Sequence, residues 1–385
     1  MRSSSSSALI YALIFAATGV SLPYAGLWFE SRGLDGSEIA IILAAPMLAR
    51  IVTGPLLAIW ADGFRLRRTA IAWLALVAAV AYGACGLVDG FGLWLVLWFV
   101  AATAASSIIP LSDALTLRLA HRDGFVFSIP RGVGSLTFIV ANVAMGAILR
   151  TGQIDAVLAW VVGMSLLLTL AAWLAPAERV HEEGVAPAAP RLAGLGQLMS
   201  DRHFLLAIIA ISLVQASHAF YYGFSSIIWH SQGISSQSIG LLWGFSVAVE
   251  VVLMWVLDPW RRRLGIGPIA VLTVGAVAAM VRWLALAMAP PLAWLWPLQA
   301  LHALSFAAVF LAALQLIERL TTPDKATAAQ MIYSSFSAGL VIGLATVISG
   351  PLFDTYGPLG YLAMSLLATA GLGLILVLSR RQTAA

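Results

Sequence analysis

Five charged residues and two histidines stand inside runs that are otherwise apolar: Arg50, Asp113, Arg131, Glu250, Arg282, His218 and His302. A charge at the centre of a bilayer costs about 2.5–3.5 kcal/mol on insertion scales, so such residues face a protein interior and pair there. A carboxyl held away from water is suited to carrying a proton, and a guanidinium in the same setting is suited to holding an anion. Glu250, His302, Asp113 and His218 are the candidate proton carriers. Arg282, Arg131 and Arg50 are the candidate anion contacts, with Arg282 favoured. Gln215, His218 and Tyr222 are spaced three and four, so they share one helical face, and Tyr221 and Phe224 lie on an adjoining one. The same spacing recurs further on: Trp243, Ser246 and Glu250 share a face, as do Gln299, His302 and Ser305. Polar atoms on an aromatic body are how small-ligand pockets are built.

Long apolar segments must position these groups. The 385 residues are 61% hydrophobic and 10% charged, against roughly 25% charged in a soluble domain. A span needs about 20 predominantly apolar residues. Such segments fall near 8–29, 36–61, 69–88, 91–118, 125–149, 154–175, 203–229, 235–259, 266–289, 291–320, 324–350 and 358–379, which predicts an all-α membrane protein of twelve helices. The first run continues beyond the length of a signal peptide's apolar region and reads as an uncleaved span. The stretch 176–202 is the longest polar one and reads as a cytoplasmic linker between two six-helix bundles, 1–175 and 203–385. With the N-terminus in the cytoplasm, sixteen of the 21 basic residues, Arg2 and Arg191 among them, fall on that side. Arg32 and Arg150 fall outside, and the other three lie within spans. That asymmetry places both termini inside, in a bacterial inner membrane. The single Cys85 excludes an intrachain disulfide and any multi-cysteine metal site. The basic residues fall in short clusters between apolar runs, a pattern unlike that of a nucleic-acid binder. No cofactor or metal is implied; a small-molecule substrate, protons and the lipid bilayer are the expected partners of a monomer.

Depth suggests pairs. Asp113 lies five residues before Arg118 and Arg131 seven after Gly124, about 8–10 Å into the fourth and fifth helices. They form an ion pair on this reading, either a static one or a substrate and proton site. Glu250 lies eight residues before Asp258, near mid-depth. Arg282 and His302 flank the Pro290-Pro291 turn at similar depth. If those two touch, His302 must be neutral, or Glu250 must lie between them.

The halves repeat each other. "WFESRGLDGSEIAIIL" (28–43) is similar to "WHSQGISSQSIGLLW" (229–243), with Gly33 matching Gly233 at an offset of 200. "ADGFRLRR" (61–68) is similar to "LDPWRRR" (257–263). The offset of 200 also sets Arg50 against Glu250. An acidic residue followed by arginines after the second and eighth helices resembles the major facilitator superfamily. The resemblance implies a conformational clamp at Asp62, Arg67, Arg68, Asp258 and Arg262, although Ala58 and Arg65 stand where that family has glycines. "LVQASHAFYYGFSSIIWHSQGISSQSIGLLWGFSVAVEVVLM" (213–254), "PLSDAL" (110–115), "VRW" (281–283), "LQALH" (298–302) and Arg50 in "LARIVTG" resemble the superfamily's 3-phenylpropionate transporter family. A more distant resemblance is to lactose permease-type proton symporters, which carry a Glu where Ser305 stands here.

Together these features predict a proton-coupled importer of a small organic anion, an aromatic carboxylate, working by alternating access and not an enzyme. Efflux of amphipathic compounds, sugar or nucleoside symport, and a membrane sensor that transports nothing are the alternatives. An intramembrane enzyme has no support, since no metal cluster, Asp-x-x-Asp pair or nucleophile motif is present.

Overall fold

A computed structural model of the chain describes residues 3–180 and 194–383. Residues 181–193 of the expected linker, and the basic residues Arg2 and Arg191, lie outside the described residues. Among the described residues, ten helices are each long and apolar enough to cross a membrane. They are helix 1 (Ser3–Ser31), helix 2 (Gly36–Asp62), helix 3 (Arg67–Cys85), helix 4 (Phe91–Asp123), helix 5 (Ser128–Thr151), helix 6 (Ala156–Leu174), helix 7 (Arg202–Ser231), helix 8 (Ser236–Arg263), helix 9 (Pro268–Ala287) and helix 10 (Leu292–Leu320). A further apolar stretch, Pro323–Arg380, is 58 residues long, enough to cross twice. A 3-10 turn at Gly357–Gly360, entered with Gly357 at φ 53°, divides it into helix 11 (326–356) and helix 12 (Tyr361–Thr383). The twelve expected helices are therefore present. Helix 4 runs five residues past its expected end, because the helix stops at Gly124, whose φ of 69° caps it, and not where hydropathy falls.

The repeat is visible in the backbone. Gly33 and Gly233 both take left-handed conformations, φ 85° and 77°, and both donate to the carbonyl three residues back. Asp35 then caps helix 2 in a capping box with Glu38, and Ser235 accepts from the Ser238 amide at the start of helix 8. Arg50 and Glu250 consequently stand at the same place along their helices, each fourteen residues after the first residue.

Helix 7 is broken. Its two pieces, Arg202–Ala216 and Ala219–Ser231, meet at Ser217 and His218. Three further helices of this half pass through a π-helical turn: Leu253–Leu257, Ala303–Ala308 and Phe336–Val341. Such turns carry one residue too many for the α-helical register and collect at functional sites.

The chain forms two compact units. One comprises Met1–Ala186 with Trp229–Gly244, the other Pro187–Ile228 with Phe245–Ala385. In the first, Trp28, Phe29, Trp94, Trp98 and Tyr82 pack edge to face, and the Trp28 indole donates to Asp155 at 3.0 Å. Also in the first unit, helix 5 and the start of helix 8 approach closely. A Cβ on Gly240 would come within 2.4 Å of the Asn142 carbonyl oxygen, and one on Gly146 within 2.6 Å of the Ser236 carbonyl oxygen. Gly240 and Gly244 are four apart, the small-xxx-small spacing that lets membrane helices touch along their backbones. The Tyr24 hydroxyl donates to the Asn142 carbonyl at 3.1 Å and seals this contact.

Gly240→Val forces side-chain atoms into that backbone contact, an overpacking cost of about 1–3 kcal/mol. Thermal unfolding of the purified variant in detergent is expected at a lower midpoint than wild type. Gly373→Ala, where a Cβ meets nothing within 4 Å, leaves the midpoint unchanged; equal midpoints for both variants would contradict the close contact.

Candidate functional site

Helices 7 to 10 of the second unit bring one polar cluster together. Helix 9 supplies Arg282, which is fully buried. Its guanidinium lies 4.3 Å from the Tyr221 ring centre and 4.6 Å from that of Trp283, so aromatic faces meet the cation on two sides. One terminal nitrogen donates to His302 Nδ1 at 2.9 Å and the other to Gln299 Oε1 at 2.5 Å. The Gln299 amide donates in turn to the Tyr221 hydroxyl at 2.8 Å. Gln299 and His302 are three apart on helix 10, so one helical face holds both contacts.

These contacts fix the state of His302. Arginine only donates, so His302 Nδ1 must accept and carries no proton. The neutral ring then bears its hydrogen on Nε2, which lies 3.1 Å from Glu250 Oε1 on helix 8 and donates to it. Glu250 is 9% exposed. Arg282 and Glu250 are thus joined through a neutral histidine. Of the two arrangements open to a touching Arg282 and His302, the neutral histidine is the one found, with His302 and not Glu250 in the middle.

His218 sits at the break in helix 7. Its Nδ1 lies 3.1 Å from the Gln215 carbonyl oxygen and its Nε2 3.1 Å from Ser305 Oγ. A carbonyl only accepts, so Nδ1 carries the hydrogen and Ser305 donates to Nε2. The His218 ring is 5.2 Å from that of His302 and 5.9 Å from that of Tyr222. Gln215 is buried and lies beside Tyr333 of helix 11. Phe224 stacks on Phe353 at 4.6 Å and packs against Phe220, an apolar core separate from these polar contacts. Trp243 is buried within the segment Trp229–Gly244, which belongs to the first unit.

A second charged cluster lies in the first unit. Asp113 and Arg131 do come together, at 3.4 Å, longer than a strong charge-assisted bond. The shorter bond to the same carboxylate oxygen is from the Tyr11 hydroxyl, at 2.5 Å. The Arg131 guanidinium lies 5.3 Å from the Tyr11 ring centre and 5.1 Å from that of Phe15. Gly134 makes room for that Phe15 ring, since a Cβ there would come within 2.6 Å of it. Arg131 is 38% exposed and Asp113 33%, so this cluster is open where the other is enclosed. Arg50, on helix 2, is also exposed.

The residues singled out as a clamp divide. Asp258 is bound by Arg262 at 2.7 Å and by Arg261, which also reaches Gln315 of helix 10 at 3.1 Å. Arg67 and Arg68 reach past the end of helix 6, to the carbonyls of Val180 and Ala175. An isolated antiparallel bridge pairs Leu66 with Arg179, and Glu178 there binds Arg122 at 2.9 Å. Asp62 is half-buried at the end of helix 2.

Tyr11, Phe15, Tyr221, Trp283 and Arg261 join these clusters without standing among the candidates that sequence singles out. Tyr11 and Phe15 are spaced four apart on helix 1, and Tyr221 adjoins Tyr222. Each ring looks like an ordinary apolar position until a cation is known to lie over it.

The chain is 28% identical over 366 residues to a protein described as a probable 3-phenylpropionic acid transporter of Escherichia coli (strain K12), covering 94% of each. It is 29% identical over 381 residues to a maltose permease of Geobacillus stearothermophilus, covering 98% of this chain and 95% of that one. Its fold matches that of the nucleoside transporter NupG with a TM-score of 0.84 at 17% identity, over 99% of both chains. Residues 5–362 match the MFS_1 like family; the chain belongs to that family and is a multi-pass membrane transporter of the major facilitator type.

Proposed function

We propose that this transporter imports a small organic anion, an aromatic carboxylate, together with a proton, by alternating access. The observation that carries the reading is the Glu250–His302–Arg282 chain. With Glu250 ionised, the cluster is neutral in sum, since His302 is neutral and Arg282 is positive. With Glu250 protonated, the cluster carries one positive charge in a buried setting, where a charge calls for a partner. Proton uptake therefore favours uptake of one monovalent anion. The transporter loaded with one proton and one carboxylate gains no net charge.

The openness of Arg131 supports it as the first contact for the carboxylate. Among the described residues its one polar contact is the long one to Asp113. Arg282, favoured by sequence, has no exposed surface and gives its two terminal nitrogens to His302 and Gln299. The rings of Tyr11 and Phe15 beside Arg131 suit a substrate with an aromatic body. Likeness to a probable 3-phenylpropionic acid transporter points the same way. Likeness to a maltose permease keeps a sugar as the second reading. Asp258 with Arg261 and Arg262 is the clamp in this reading, with Arg67, Arg68 and Asp62 at the corresponding place in the first half.

Proteoliposomes test the coupling. Uptake of 3-phenylpropionate is expected to track an inward proton gradient, worth about 1.4 kcal/mol per pH unit. A potassium–valinomycin potential without a pH difference is expected to drive none; strong uptake under voltage alone excludes one proton per anion. Glu250→Gln is expected to abolish concentrative uptake while counterflow exchange persists, and unchanged accumulation removes Glu250 from the proton step.

Substrate class is tested by thermal shift with aromatic acids, sugars and nucleosides at pH 5.5 and 7.5. Aromatic acids are expected to raise the midpoint, more so at pH 5.5. Arg131→Gln is expected to remove that rise; stabilisation by sugars alone overturns the carboxylate reading.

A further inference from the structure

His218, Ser305 and the π turn of helix 10 take no part in the proton step as proposed, yet they meet directly behind His302. The π turn Ala303–Ala308 begins at the residue after His302. One residue more than the α register requires turns the helix before it by about 100° relative to the helix after it. Such a turn persists only where its surroundings hold it, and here it is held from two sides.

From helix 7, His218 reaches Ser305, inside the turn, at 3.1 Å. The break in helix 7 makes this possible. It leaves the Gln215 carbonyl to take both the backbone amide of His218, at 3.2 Å, and its Nδ1 hydrogen, at 3.1 Å. The ring is thereby fixed with its Nε2 lone pair toward Ser305. The Ser305 hydroxyl has one hydrogen and a second acceptor in reach, the His302 carbonyl oxygen at 3.4 Å. From helix 9, Gly275 gives the turn its seat. A Cβ there would come within 2.8 Å of the Leu304 carbonyl oxygen and 2.3 Å of Val309 Cγ2. Gly275 is seven residues, two turns, before Arg282 on the same helical face. His218 and Ser305 are fully buried and His302 is 3% exposed, so water does not take over these bonds.

We propose that His218 and Ser305 form a strut, seated on Gly275, that holds the π turn and so aims His302 at Glu250. They are positioning residues for the proton step proposed above, on which this inference rests. Without the strut the turn relaxes toward α-helix, and His302 rotates off Glu250. The ionisable groups that face His302 and Glu250 here are Arg282 of helix 9 and His218, Tyr221 and Tyr222 of helix 7; Tyr361 of helix 12 stacks on Trp283, next in the chain to Arg282. A change at Ser305 leaves Arg282 and the tyrosines in place and takes from His218 its partner at Nε2.

The test uses the full chain. Glu250→Cys and His302→Cys are combined in a Cys85→Ala background, and linkage by a short bis-methanethiosulfonate is measured with and without Ser305→Ala. The yield is expected to fall without the hydroxyl, since loss of one ordinary internal hydrogen bond shifts the ratio of π to α forms about fivefold. Ser305→Thr, which keeps the hydroxyl, restores it. In proteoliposomes carrying native Glu250 and His302, Ser305→Ala moves the pH midpoint of uptake and lowers accumulation, while exchange continues. Unchanged linkage and an unchanged pH midpoint in Ser305→Ala overturn the strut. If wild-type uptake ignores the pH gradient, the proton reading fails, and the linkage result alone still judges the strut.

Discussion

A guanidinium with no exposed surface is the constraint around which the second unit is built. Arginine does not surrender its proton in a protein, so Arg282 stays charged and every contact must answer that charge. Tyr221 and Trp283 offer ring faces, Gln299 an amide oxygen, and His302 a nitrogen lone pair. The last choice has a consequence for the rest of the cluster. A histidine that accepts from arginine is neutral and offers its other nitrogen as a donor, which selects an acceptor, Glu250, for the neighbouring helix. The charge on helix 9 dictates the tautomer on helix 10 and the residue type on helix 8.

The first unit treats its arginine differently. Arg131 lies beside two rings as well, but it is open, and its acid partner is held more tightly by Tyr11 than by the arginine itself. Taken with the proposed function, enclosure suits a group that must hold a proton path dry, and openness suits one that must meet a solute. Both clusters set an arginine among a carboxyl and aromatic rings; the second places a histidine between arginine and carboxyl, and the two differ in access as well.

The helices, their number and the repeat are legible in the sequence because they arise from one-dimensional signals: apolar run length, left-handed glycines and caps. Asp113 with Arg131, and Arg282 with His302, are also legible, because connected helices and equal depth narrow the partners of a buried charge. Rotation is not legible. Phe224 and Tyr221 differ by three residues, yet one joins an apolar core and the other lies over the Arg282 cation. The break in helix 7 and the π turn of helix 10 change the facing of every residue beyond them, and neither leaves a proline or glycine signature at the site. The preference for Arg282 over Arg131 as the carboxylate contact is formed from sequence, which says nothing about the groups that pack around a side chain.

The Gly240–Gly244 stripe also bears on assembly during synthesis. The groove on helix 5 that receives it, at Asn142 and Gly146, is complete once helix 5 has been made, but its occupant belongs to helix 8. The first six helices are therefore made before the segment that covers this strip of backbone and small residues. That strip is closed only when the ribosome has passed the linker, helix 7 and the turn at Gly233. The N-terminal six helices therefore lack one segment of their compact unit, Trp229–Gly244, until the second half is made.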